Sequence, residues 1–345
     1  MKKHLVLGLL VCLVLSAFKK VSKCHFTVPE GWPKPKYNFN KKPLDPEKIL
    51  LGRALFYDPI LSRDSTVSCS SCHTQYAAFT HIDHSLSHGI DGRIGTRNSP
   101  ALMNLAWQKE FMWDGRAAKL QNQAILPITH PDEMDETIEH VLLKLKHSNI
   151  YPNLFYASFG DSAINSEQML EAISQFMVSI ISSESKYDSV MRNQATLTPK
   201  EANGYKLFKQ HCASCHTEPL FTNLAYENNG LPVDTSLKDY GRVNVTHKAI
   251  DSFKFKVPTL RNIEISSPYM HDGRFKRLHD VVNYYTSGIH AGTNLAPQLR
   301  DPIQLSANEK VDLVAFLLTL TDMKFLSNKE YSYPKKIFSD MRMIH

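Results

Sequence analysis

Apolar side chains along this chain recur mostly at helical spacing. Leu50, Leu51, Ala54 and Leu55 make one stripe, Ile138, Val141, Leu142 and Leu145 a second, and Leu170, Ile173, Met177 and Ile180 a third. Thr198-Pro199-Lys200-Glu201 and Ser306-Ala307-Asn308-Glu309 are capping boxes. In each, a hydroxyl and a carboxylate satisfy backbone N–H groups at the first turn, so each predicts a helix start. No series of alternating apolar and polar positions marks out a sheet. The pattern predicts a mainly α fold with long irregular connections around Gly89 to Pro100 and Pro219 to Thr259. Prolines 29, 33, 35, 43 and 46 predict an extended lead-in over residues 23–44.

The chain also repeats itself. Gly52-x-x-Leu55-Phe56 precedes Cys69-Ser70-Ser71-Cys72-His73, and Gly204-x-x-Leu207-Phe208 precedes Cys212-Ala213-Ser214-Cys215-His216. Arg97-Asn98, then Trp113-Asp114-Gly115-Arg116 and Leu120, follow the first run. Arg261-Asn262, then His271-Asp272-Gly273-Arg274 and Leu278, follow the second. Shared features in one order predict two copies of a module, residues 45–190 and 196–322. A basic tail, 323–345, has no counterpart in the first copy.

Four of the six cysteines lie in the two C-x-x-C-H runs, the attachment signature of c-type haem. Two cysteines three apart share a helix face and can each bind one vinyl group of a porphyrin, while the following histidine becomes the proximal iron ligand. A four-cysteine zinc site is disfavoured because its pairs are usually separated by about 15–20 residues, far fewer than lie between Cys72 and Cys212. Thioredoxin-like redox pairs leave both histidines and the missing βαβ pattern unexplained. The expected cofactors are therefore two covalently bound haem c groups. Forty Lys and Arg against thirty-four Asp and Glu give +6, spread without a dense basic block, so nucleic acid is not an expected partner. Lys2, Lys3 and His4 ahead of the uncharged run Leu5–Phe18 predict an export signal ending near residue 22. That run is short for a membrane span, and Lys23 stands where a lipid anchor on Cys24 would want a small residue. Haem attachment outside the cytoplasm agrees with export, and the periplasm is the expected destination.

Leu51-Gly52-Arg53-Ala54-Leu55-Phe56-Tyr57-Asp58, Arg97-Asn98-Ser99-Pro100, Phe111-Met112-Trp113-Asp114-Gly115-Arg116-Ala117, Gln123-Ala124, Val257-Pro258-Thr259-Leu260-Arg261-Asn262 and Pro268-Tyr269-Met270-His271-Asp272-Gly273-Arg274 carry a more specific likeness. Over about Leu44 to Asp322 the chain resembles the bacterial di-haem cytochrome c peroxidases and their MauG-like relatives. The resemblance implies two tandem cytochrome c-like haem domains with long irregular loops. The haem on His73 would be the peroxide site, and the haem on His216 the electron-transfer centre.

The same resemblance implies roles for single residues. Peroxide heterolysis needs a group that moves a proton from one peroxide oxygen to the other. The family's distal glutamate matches Glu133, its distal glutamine matches Gln123, and the tryptophan between the haems matches Trp113. Asn98 matches the side-chain ligand of an interdomain calcium ion, with backbone carbonyls from Ser266 and Pro268, oxygen donors that suit a hard cation. Some members close the resting peroxide site with a loop histidine. His88 lies in the corresponding loop, beside the competitors His81 and His84. The axial methionine position of typical peroxidases falls on Tyr285, where MauG-like proteins place a tyrosine, and Met270 is the competing sixth ligand. The implied activity is reduction of hydrogen peroxide with electrons from a small cytochrome c or cupredoxin. Oxidation of a partner protein's residues and simple electron carriage are the alternatives, and a homodimer is one assembly compatible with the resemblance.

Overall fold

The computed structural model describes residues 25–342, so the expected export signal and Cys24 lie outside the described residues. Helices dominate, and the described sheet consists of β1 (Tyr226–Glu227) paired antiparallel with β2 (Phe255–Lys256), Tyr226 opposite Lys256. The eight longer helices of the two modules are α1 (Pro46–Tyr57), α2 (Ile138–His147), α3 (Tyr151–Phe159), α4 (Ser166–Ser179), α5 (Lys186–Met191), α6 (Pro199–His211), α7 (Leu278–Ser287) and α8 (Ala307–Leu318). Among the described residues, no helix is long and apolar enough to cross a membrane.

Asp45 opens α1, its side chain accepting from the backbone of Glu47 and Lys48, with Pro46 at the first helical position. The expected stripes are realised, except that Ile180 already stands in extended backbone just beyond α4. Both capping boxes form: Glu201 receives the Thr198 N–H at 2.7 Å, and Glu309 the Ser306 N–H at 2.8 Å. In each module the helix carrying Gly-x-x-Leu-Phe crosses the closing helix at its glycine. A Cβ on Gly52 would lie 1.9 Å from the Ala172 carbonyl oxygen, and one on Gly204 1.9 Å from that of Asp312. Only a residue without a side chain permits these two backbone crossings, which explains why the motif occurs twice.

Two apolar cores result. Leu51, Leu55 and Phe56 meet Ile173 and Phe176 in the first, and Phe208, Phe221, Phe316 and Leu313 fill the second. The short helix α5, ahead of the anticipated module boundary, packs into the second core through Tyr187. There Asp188 holds Arg261 by two charge-assisted bonds of 2.8 and 2.9 Å. The connecting segment is pinned by Asp322, whose carboxylate accepts from the Ser182 hydroxyl and the Ser183 and Glu184 N–H groups.

The extended lead-in is packed rather than loose. Phe26 stacks on Phe39, and Trp32 meets Trp107 edge-on while lying over the Arg261 guanidinium of the second module. The tail beyond Asp322 folds back onto the first module. Tyr57 donates to the Tyr331 carbonyl, Tyr331 donates to that of Ser179, and Phe325 and Tyr331 pack on Phe79.

Candidate haem sites and the ground between them

Each C-x-x-C-H run forms one helical turn, closed by a bond of 2.9 Å from the histidine N–H to the first cysteine carbonyl. In the first module the turn is a short helix, Cys69–Cys72, capped by Ser68 and Ser71. In the second it is a set of hydrogen-bonded turns continuing from α6. His73 donates its Nδ1–H to the Phe79 carbonyl at 2.8 Å. His216 donates in the same way toward Phe221 and Pro258 at 3.2 and 3.1 Å. Ala78, Phe79 and Phe221 all have positive φ, a strained bend that swings the carbonyl under the ring. Desolvation pushes both imidazoles down to about 4, so each is neutral, with Nε2 left to bind a metal. The repeated Phe79-Thr80 and Phe221-Thr222 pairs were a sequence signal for these carbonyl partners.

The thiols are kept protonated by desolvation, with Cys69 and Cys212 pushed up to about 12 and Cys72 to about 11. Among the described residues, no group of three His, Cys, Asp or Glu side chains converges as a metal cage. That removes the four-cysteine zinc reading. Paired thiols beside an imidazole whose Nε2 is free fit a covalently held haem at both places.

Glu133 sits in the turn between the helical segment ending at Thr129 and α2, and its charge reaches both thiols of the first site. The Ile90 N–H donates to its carbonyl at 2.9 Å, while its carboxylate has no hydrogen-bond partner among the described residues. Desolvation raises its pKa, opposed by His130 and Arg116. Gln123 instead donates to the Met112 sulfur at 3.4 Å. The loop backbone also closes on this site: the Cys72 thiol lies 3.5 Å from the His88 carbonyl. The His88 ring packs on His84 at 4.1 Å, with His81 6.2 Å away. His88 is thus one of three clustered imidazoles at the edge of the site.

Between the modules, the Trp113 indole N–H donates to the Asn98 carbonyl at 2.8 Å, and the Asn98 N–H donates to the His271 carbonyl at 2.7 Å. One residue thereby joins Trp113 to its counterpart in the repeat. The Asn98 side-chain amide donates to the Ser85 carbonyl at 3.0 Å, which directs Oδ1 to any further partner. Arg97 locks the same junction, bridging Asp114 at 2.8 Å and Asp239 at 2.6 and 2.7 Å.

At the second site Tyr285, on α7, feels Cys212 and Cys215, and desolvation pushes its phenol up to about 12. Sequence reasoning missed its neighbour Asn229, whose side-chain nitrogen lies 3.4 Å from the Tyr285 hydroxyl and 3.7 Å from the Met270 sulfur. The structure therefore brings both competing ligands to one amide. No local motif announces Asn229, which reaches the site from a long loop.

Two helical modules, each with a C-x-x-C-H turn and a neutral histidine, define a di-haem c-type oxidoreductase. The di-haem cytochrome c peroxidase family model matches residues 46–196, and a cytochrome c model matches 201–321. The chain is 35% identical to the methylamine utilization protein MauG of Methylorubrum extorquens, over 86% of this chain and 84% of that one. It is 34% identical to the cytochrome c551 peroxidase of Nitrosomonas europaea, over 79% of each chain. A crystal structure of a MauG-like protein associated with microbial copper homeostasis superposes with TM-score 0.80 at 31% identity, covering 90% of this chain and 99% of that one. The chain belongs to the di-haem cytochrome c peroxidase family.

Proposed function

We propose that this protein is an exported, periplasmic peroxidase that reduces hydrogen peroxide to water, drawing two electrons one at a time from a small cytochrome c or cupredoxin. Haem, when bound, supplies the redox-active iron at each site. The observation that carries the reading is the placement of Glu133, whose backbone lies against Gly89 in the loop that closes on Cys72, with a desolvated carboxylate that has no hydrogen-bond partner among the described residues. A carboxylate so placed can take a proton from one peroxide oxygen and return it to the oxygen that departs as water. Two protons and two electrons then turn one peroxide into two waters.

Gln123, at the end of its short helix, orients a small polar substrate with its amide. His73 and His216, with Nδ1 engaged by backbone carbonyls, would hold the two irons through Nε2. Trp113, tied through Asn98 to His271, carries electrons between the modules. A calcium ion between the modules would be held by Asn98 Oδ1 with the carbonyls of Ser266 and Pro268, and would stiffen that path. His88, whose backbone abuts Cys72, would be the imidazole that reversibly closes the resting peroxide site, with His81 and His84 packed around it.

The site of Tyr285 supports a second reading, in which the oxidising equivalents pass to residues of a partner protein. A phenolate ligand lowers the potential of the second haem and stabilises its oxidised state, whereas a thioether raises it. Peroxide turnover with reduced cytochrome c tests the main reading. Stoichiometric oxidation of the donor supports it, and peroxide consumption without donor oxidation favours the second reading. No peroxide consumption by protein carrying both haems leaves only electron carriage.

A further inference from the structure

The loop carrying Asn229 is braced on all sides. Asn228 accepts from the Gly230 N–H at 2.9 Å and donates to Asn294 at 2.8 Å. Gly230 has φ +76°, and a Cβ there would lie 2.7 Å from the Ile289 side chain, so the loop can approach the segment just after α7 only with glycine at this point. The Asn229 carbonyl accepts from the Tyr284 hydroxyl at 2.8 Å, and its Oδ1 accepts from the Leu231 N–H at 3.4 Å. With the side-chain oxygen engaged by its own loop, the two amide hydrogens are turned toward the Tyr285 oxygen and the Met270 sulfur.

Met270 has φ 74°, an unfavourable conformation for a non-glycine residue, and so does its repeat counterpart Met112 at 69°. The Met112 sulfur likewise receives an amide, that of Gln123. An amide held against the methionine before Asp-Gly-Arg is thus built twice into this chain.

We propose that Asn229 is a positioning residue that selects the sixth ligand of the haem on His216. It donates one N–H to Tyr285 and engages the Met270 sulfur with the other. A phenolic oxygen accepts a hydrogen bond readily, whereas a thioether is only a weak acceptor. The amide therefore orients the Tyr285 oxygen as the ligand and holds the competing thioether back. The inference rests on the reading that Tyr285 is a ligand of this iron.

The test uses the protein carrying both haems. Asn229→Leu removes both donors, while Asn229→Asp removes them and keeps the acceptor for Leu231. Wild type should lack the near-infrared charge-transfer band of a ferric His/Met haem. The Leu variant should gain that band, with a rise in the potential of one haem, and the band should vanish again in Asn229→Leu/Met270→Ala. The Asp variant should lose the phenolate signature in the ferric electron paramagnetic resonance spectrum. If wild type lacks the band and both single variants keep its spectra and potentials, the role of Asn229 is refuted while ligation by Tyr285 stands. If wild type already shows the band and Met270→Ala abolishes it, ligation by Tyr285 is refuted and the inference falls with it.

Discussion

Replacing Glu133 by Gln takes away the carboxylate proposed to carry the proton and leaves the rest of the site in place. No hydrogen bond contributes to holding the carboxylate in the charged form, and the backbone contact of this residue with Ile90 is independent of the side chain. Haem content and resting spectra should therefore survive. A positioned general acid–base group contributes about a hundredfold to ten-thousandfold in rate, equivalent to about 2.7 to 5.4 kcal/mol at 1.36 kcal/mol per decade. Peroxide turnover, followed by oxidation of reduced cytochrome c, should fall by that factor.

The pH dependence gives a sharper check. Desolvation raises the Glu133 pKa, and the base must be ionised to accept the first proton, so wild-type kcat/KM should decline with falling pH above the ordinary carboxylate range of about 4.3. That limb should be absent in Glu133→Gln. The sign for stability is opposite to that of an ion pair. A folded-state pKa above the unfolded one penalises folding once pH rises through the folded value, and the penalty is absent below the unfolded value. Glu133→Gln should therefore be no less stable than wild type at neutral pH, and any gain should vanish in acid. A variant that keeps both haems and turns over at the wild-type rate, or retains the acid limb, would refute the assignment.

Arg261→Met strands the Asp188 carboxylate in the second core and should destabilise the protein by about 3–5 kcal/mol, measured by chemical denaturation. Desolvation opposes ionisation of Asp188, but its bonds to Arg261 outweigh that and lower its pKa. Its contribution to stability is thus present above the unfolded pKa and lost as pH falls through the folded one, so Asp188→Asn should flatten the acid dependence. Chelation of the proposed calcium ion, or Asn98→Ala, should slow inter-haem electron transfer without releasing haem; an unchanged rate after verified metal removal would count against the ion. Truncation after Asp322 removes Phe325 and Tyr331 from Phe79, whose carbonyl holds His73. It should perturb the spectrum of the first haem while sparing the second, and equal perturbation of both would refute this link.

Much of the site was legible because its chemistry is local. Two cysteines, one histidine and a capped helix need only a few consecutive residues, and the same order occurs twice. Gly52 and Gly204 were visible as part of that repeat, although the reason for them, a backbone crossing at each module's closing helix, was not. Glu133 looked like any acid in a helix-opening turn until a family resemblance gave it a place. Nothing local says that this turn returns to Cys69 and Cys72.

The tail and the lead-in show the limit from another side. Their composition predicts only an extended lead-in and a basic tail without a counterpart, yet Phe325, Tyr331 and Trp32 pack on the first core, and Trp32 also covers Arg261 of the second module. Asn229 is the clearest case. The family resemblance placed Tyr285 and Met270 in competition, and the residue whose amide reaches both stands 41 positions before Met270 and 56 before Tyr285. Periodicity and short motifs report interactions within a few turns of chain, so helices, caps and haem-attachment turns could be read directly. Which loop meets which helix depends on how two cores pack, and that is where the acid of the first site and the amide of the second acquire their neighbours.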